Sequence, residues 1–279
     1  MGTGFRIITI TCWLILGCCG LIHAEEQACL ECHPGHYSES GSCTDCHLGR
    51  ADTIRKEIAH DRILTARFSA FTLPDSPVVK RGKKLMEQMA CRRCHISGGK
   101  GNKYAANLDW SPQNSTAEEL LNAVREPALF MPDFHFSEAQ VVQLVNVIYA
   151  NSRETGQPEE EIPVLIHFEA PQPGEKSVFE KECGSCHRML TKHKGGLGGS
   201  YMGPNLSGLL TEFYPKTYPE EKAWTVQRLK DWLTNPRKPL KNARMAPVNL
   251  NDKDWQQLQV GFIDGEPPER LTCQETCRL

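Results

Sequence analysis

Two cysteines three positions apart, followed directly by a histidine, can do a specific piece of chemistry. Each thiol can add across one vinyl group of a haem, making two thioether bonds to the macrocycle, and the histidine is then held under the iron. The chain of 279 residues contains this pentapeptide four times. The copies are Cys29-Leu30-Glu31-Cys32-His33, Cys43-Thr44-Asp45-Cys46-His47, Cys91-Arg92-Arg93-Cys94-His95 and Cys183-Gly184-Ser185-Cys186-His187. One copy could arise by chance or serve as a zinc knuckle, and the first two together supply the paired Cys-x-x-Cys of a zinc ribbon. The zinc reading leaves the histidine after each second cysteine without a role. The motifs are therefore read as attachment points for four c-type haems, with His33, His47, His95 and His187 as proximal iron ligands.

A six-coordinate iron needs a second axial ligand, and the elements around each motif must bring it. The first two motifs lie so close in sequence that their haems must be neighbours. His36 is three residues beyond His33, too near to swing to the opposite face of the same haem, but within reach of the next one. His60, on an expected helix from Ala51 to Phe68, then remains for the first. The expected pairs are His33 with His60 and His47 with His36. A turn residue beside Pro34-Gly35 is the alternative for His36, and a surface helix histidine for His60.

Leu73-Pro74-Asp75-Ser76-Pro77 reads as a linker. Beyond it, a helix carrying Gly82, Leu85 and Met89 leads into Cys91. Ser137 and Gln140 form a capping-box pattern, and Val141, Leu144, Val145, Ile148 and Tyr149 follow with helical spacing. A second connector, with Pro158-Glu159-Glu160-Glu161 and Pro171-Gln172-Pro173-Gly174, contains His167, read as structural. Val178 and Phe179 then precede Cys183 on a further helix, and Trp255, Leu258 and Phe262 sit on a closing one. The two halves are internally similar: in each, a helix stops at a proline, Pro127 or Pro236, and an extended loop presents Met131 or Met245.

These features together resemble a multihaem c-type cytochrome containing two class I cytochrome c-like domains. The resemblance implies a mainly α fold: an N-terminal dihaem segment (25–73) followed by two small all-helical cytochrome c-like domains (78–151 and 175–263), joined by a linker (152–174). In that family the first and last helices cross closely, a small residue meeting an aromatic, and Gly82 and Tyr149 are placed to do so. Phe130-Met131-Pro132 resembles the family's distal loop, which implies Met131 as ligand, with His135 as rival. Met245-Ala246-Pro247 implies Met245, with Met202 and His193 as rivals. Gly203-Pro204-Asn205-Leu206 matches the segment whose proline carbonyl orients the proximal histidine, here His187. The first domain departs from this pattern, having Gly98-Gly99-Lys100-Gly101 and Asn107-Leu108, so the carbonyl facing His95 is left open.

The run Ile7 to Leu16 after Arg6 reads as the apolar core of an export signal within residues 1–24, too short for a confident membrane span. Ile15-Leu16-Gly17-Cys18 resembles a bacterial lipobox, which would place a lipid anchor on Cys18. Cleavage after Ala24 would instead release a soluble protein. Either route puts the haems in the bacterial periplasm, or on a membrane facing the periplasm or exterior. Of the 13 cysteines, Cys273 and Cys277 in the tail (264–279) lack a following histidine and are expected to form a disulfide in an oxidising compartment.

Ligand types then suggest the function. Two bis-histidine haems followed by two His/Met haems form a graded relay, because methionine ligation raises the potential. The expected function is electron transfer between a redox protein donor and acceptor, in partnership with a membrane quinol-oxidising complex. The competing readings are a haem peroxidase or reductase with one open iron, and a building block of a haem filament. Lys80, Arg81, Lys83, Lys84, Arg92, Arg93, Lys100 and Lys103 form a basic front that could steer an acidic partner or simply balance haem propionates. No recognition element for nucleic acid accompanies it.

Overall fold

The computed structural model describes residues 27–156, 176–192 and 194–263. The export signal with Cys18, the bulk of the second connector with His167, the rival ligand His193, and the tail with Cys273 and Cys277 lie outside these residues. Among the described residues no helix is long and apolar enough to cross a membrane. The chain divides into two compact units at Val79/Lys80.

The first unit has little regular structure. It holds α1 (Gln27–Leu30), α2 (Cys43–His47) and α3 (Lys56–Ala59), with single 3-10 turns between them and after them. The second haem motif is itself a helix, and its start is fixed by a capping box. Ser42 Oγ accepts from the Asp45 amide at 3.2 Å, and Asp45 Oδ2 accepts from the Ser42 amide at 2.8 Å. The helix ends at Leu48, whose φ is +55°, and the chain then folds back on itself. The Arg50 amide donates to the Ala59 carbonyl (3.0 Å) and the Leu64 amide to that of His47 (2.6 Å). Only Leu64 and Phe68, both 1% exposed, form a buried apolar core among the described residues of this unit.

The expected helix from Ala51 to Phe68 does not form. The segment contains only α3 and a 3-10 turn at Ala66–Phe68, and His60 caps the C-terminus of α3. Arg62 at φ +55° breaks any continuation. The backbone groups that a longer helix would pair internally are spent on the return contacts to His47 and Arg50.

The second unit is mainly helical. Its first half comprises α4 (Pro77–Gln88), which begins just before the unit boundary, α5 (Ser111–Asn114), α6 (Ala117–Arg125) and α7 (Glu138–Thr155). Capping boxes at Thr116/Glu119 and Ser137/Gln140 start α6 and α7. Helix α7 carries the apolar stripe Val141, Leu144, Val145, Ile148 and Tyr149, all buried, and α5 and α6 pack on it. Gly82 on α4 lies so close to α7 that an added Cβ would overlap the Gln143 carbonyl and Val147. The glycine's nearest neighbours across the contact are therefore Gln143 and Val147, not the expected Tyr149.

Its second half comprises α8 (Val178–Glu182), a hairpin of β1 (Met189–Thr191) and β2 (Gly195–Leu197), α9 (Val226–Thr234) and α10 (Asp252–Phe262). Phe179 on α8 meets Phe262 on α10 edge to face, with ring centres 6.1 Å apart. Leu229, Leu233 and Leu258 complete the core around them. The hairpin is a departure from the all-helical expectation. It pairs Met189 with Leu197, Leu190 with Gly196 and Thr191 with Gly195, and Thr191 Oγ1 donates to the Gly195 carbonyl (2.9 Å).

Candidate haem sites

Histidines 95 and 187 are held in the same way. His95 Nδ1 donates to the Ala106 carbonyl at 2.8 Å, and His187 Nδ1 donates to the Pro204 carbonyl at 2.9 Å. A carbonyl can only accept, so each ring carries its proton on Nδ1 and keeps the Nε2 lone pair for a metal. The surrounding backbone repeats as well. The Leu108 amide bonds to the Ile96 carbonyl and the Leu206 amide to that of Arg188, one residue beyond each motif histidine. The Tyr104 and Gly203 amides bond to Cys94 and Cys186, the residue before each. Gly101 and Gly198, both at positive φ, let the chain pass against the His95 and His187 carbonyls, where a Cβ would overlap. The carbonyl that faces His95 is thus Ala106, reached without the Gly-Pro pair. The Gly98 and Gly99 amides of that departing loop both donate to the buried Asp109 carboxylate, at 2.7 and 2.8 Å.

None of the eight motif cysteines is in a disulfide. Burial pushes the Cys91 and Cys183 thiols up to about 11, and burial also raises that of Cys94. Burial lowers the pKa of His95, opposed by its bond to Ala106. Gly203 forms a cradle: a Cβ there would overlap the His187 ring. The donor set and its orientation fit a covalently attached haem.

The distal candidates sit on loops after α6 and α9. Met131 follows a turn in which its amide donates to the Ala128 carbonyl (3.2 Å), and it is half-buried. Its rival His135 is 84% exposed and its ring faces Asp133 at 3.1 Å. Met245 packs against the core of the second half, and its Sδ accepts from Trp232 Nε1–H at 3.1 Å. Trp232 stands in an edge-to-face cluster with Trp224 (5.5 Å) and Tyr218 (6.3 Å). Met202 is 83% exposed.

In the first unit, His47 Nδ1 donates to the Leu64 carbonyl at 2.8 Å, the same device a third time. The His36 and His47 rings stand 5.7 Å apart at 84°, and those of His33 and His60 stand 5.9 Å apart at 45°. At these separations the two rings of each pair would be able to hold one iron between them. The structure brings together the same partners that the sequence pairs, although His60 comes from a helix end. Among the described residues, no cluster of three or more His, Cys, Asp or Glu side chains is arranged to hold a metal by itself.

Residues 77–148 match the family model described as cytochrome c oxidase, cbb3-type, subunit III. This segment is a cytochrome c domain. No curated protein and no solved structure matches the chain. The domain supports a haem protein of electron transfer and implies a covalently bound c-type haem, for which Cys91, Cys94 and His95 are the motif residues within it. The match begins with α4 and ends inside α7, so the cytochrome c domain contains the motif, the Ala106 carbonyl and the Met131 loop. The orienting carbonyl was the residue that sequence reasoning missed. Asn107-Leu108, placed like Asn205-Leu206, was the available signal.

Proposed function

We propose that the chain is an exported tetrahaem c-type cytochrome that carries electrons between redox proteins. The observation that carries the reading is the shared orientation of His47, His95 and His187, each donating Nδ1–H to a backbone carbonyl and leaving Nε2 for iron. Each bound haem supplies one reversible one-electron couple. His33 and His60 would hold one haem iron and His47 and His36 a second, a reading supported by ring separations of 5.9 and 5.7 Å. His95 with Met131 and His187 with Met245 form the other two. The repeated backbone contacts around His187 support a second cytochrome c-like domain at 175–263.

The protein's own contribution is to set the order of potentials. Imidazole pairs stabilise the oxidised state more than a thioether does, so the N-terminal pair is the low-potential end and the Met-ligated pair the high-potential end. The match to a family described as an oxidase subunit supports a place in or beside a respiratory complex, donor or acceptor being a redox protein of that system. Intact-mass measurement should give four haems added covalently per chain. Redox titration should resolve two lower and two higher couples. Fewer than four haems would contradict the count, and four overlapping couples would contradict the graded relay.

A further inference from the structure

Phe130, the residue before Met131, reaches out of its own half of the second unit. Its ring lies against Gly196 on β2 so closely that a Cβ there would overlap three ring carbons. Gly196 does not have a positive φ, so the backbone does not demand a glycine; the ring does. The Phe130 carbonyl accepts from Asn205 Nδ2 (3.4 Å), and the Arg188 guanidinium stands 6.0 Å from the Phe130 ring centre while stacking on Tyr201 at 3.7 Å. Arg188 follows His187 and Asn205 follows Pro204. The seat for Phe130 is thus built from the chain that orients the fourth proximal ligand. A second seam fixes the same two halves: Asn102 Nδ2 donates to both the Arg93 carbonyl (2.9 Å) and Thr211 Oγ1 (3.0 Å).

The loop between α6 and α7 needs such an anchor. It has no regular secondary structure, with Leu129 and His135 both at positive φ. Each residue that a loop must order to present a ligand costs backbone entropy. An aromatic ring docked on a rigid hairpin removes that freedom next to the methionine. We propose that Phe130 is a positioning residue for the third haem: Gly196 and Asn205 of the following half hold it, and through it they hold Met131 toward the iron. The coordination of one haem site therefore depends on the fold of the next. This inference rests on the reading of Met131 as distal ligand.

The test uses the full-length haem-loaded protein, with carbon monoxide binding to the reduced form and a redox titration as readouts. Met131→Ala identifies the third haem's signals. Phe130→Ala is expected to move the same signals in the same direction, one further haem per chain binding carbon monoxide and one high-potential couple falling. Phe130→Leu should lie between it and the parent. Gly196→Ala should act likewise by expelling the ring, and adding it to Phe130→Ala should change the third haem no further. If Gly196→Ala disturbs the hairpin, Phe130→Ala and Phe130→Leu carry the test alone. An unchanged third haem in Phe130→Ala, with Met131→Ala altering it, overturns the positioning role and leaves the ligand reading standing. If Met131→Ala itself alters nothing, the ligand reading fails and the inference with it.

Discussion

At the scale of single residues, the sites are governed by small polar contacts to the ligands. Trp232 Nε1–H donates to the Met245 sulfur at 3.1 Å. Sulfur is a weak acceptor, so the bond contributes at the low end of the usual ~0.5–1.5 kcal/mol. If Met245 is the proposed ligand, the bond would withdraw electron density that a ferric iron would use, and so favour the reduced state. Trp232→Phe should therefore lower the fourth haem's potential by roughly 20–40 mV, on the scale of about 59 mV per tenfold for one electron. Protein-film voltammetry would measure it; an unchanged or higher potential would sink the idea. Gly203 acts by having no side chain. Gly203→Ala puts a methyl group into the His187 ring. It should destabilise that half by about 1–3 kcal/mol as overpacking does, and should alter the fourth haem's absorption while leaving the other three unchanged. The four Cys-x-x-Cys-His motifs stand out in the sequence because haem attachment would fix residue type and spacing together, and the family match covers the one at Cys91–His95. The Ala106 carbonyl was harder to find, because a backbone acceptor can come from any residue, and only the Asn107-Leu108 that follows it, placed like Asn205-Leu206, marks its position.

Among the elements, legibility followed the same division between side-chain and backbone signals. Ser137 and Gln140 announced the start of α7 because a capping box needs those side chains, and the box is present. The apolar stripe of α7 announced its buried face. The Ala51–Phe68 helix was misread because the determinants against it are backbone events: Leu48 and Arg62 in the left-handed region, and the Leu64 amide tied to the His47 carbonyl. The β1–β2 hairpin was missed because three-residue strands around Gly195-Gly196 have too few side chains to show an alternating pattern. The crossing of α4 and α7 supplies a direct test. In an open helix Gly82→Ala would stabilise by about 1 kcal/mol, but here the methyl overlaps the Gln143 carbonyl. The substitution should cost about 1–3 kcal/mol instead, read as a lower urea midpoint with the slope unchanged. A raised midpoint would show that the helices do not meet at this glycine.

At the scale of the whole molecule, the charged residues that stay exposed are the ones open to a partner. The basic front of the cytochrome c domain is partly used internally. Arg92 donates to the Ser97 carbonyl (2.9 Å), Arg93 reaches the Asn205 carbonyl (3.4 Å) and Lys83 pairs with Glu154 (3.3 Å). Arg81, Lys84, Lys100 and Lys103 remain exposed for long-range steering. If they steer an acidic partner, the reduction rate should fall as salt shortens the Debye length to about 8 Å near physiological strength, and Lys84→Glu with Lys103→Glu should flatten that dependence. A rate indifferent to salt in the parent protein would remove steering from the account.

If the proposed ligands are right, every iron held by this chain has two protein ligands and works by passing electrons. The carbon monoxide difference spectrum of the purified, fully reduced protein, normalised to total haem, decides this. No binding is expected if His60, His36, Met131 and Met245 are the second ligands proposed for the four motif histidines. Stoichiometric binding at one haem would contradict it, showing an open or labile iron and moving the weight of the reading from electron transfer to catalysis.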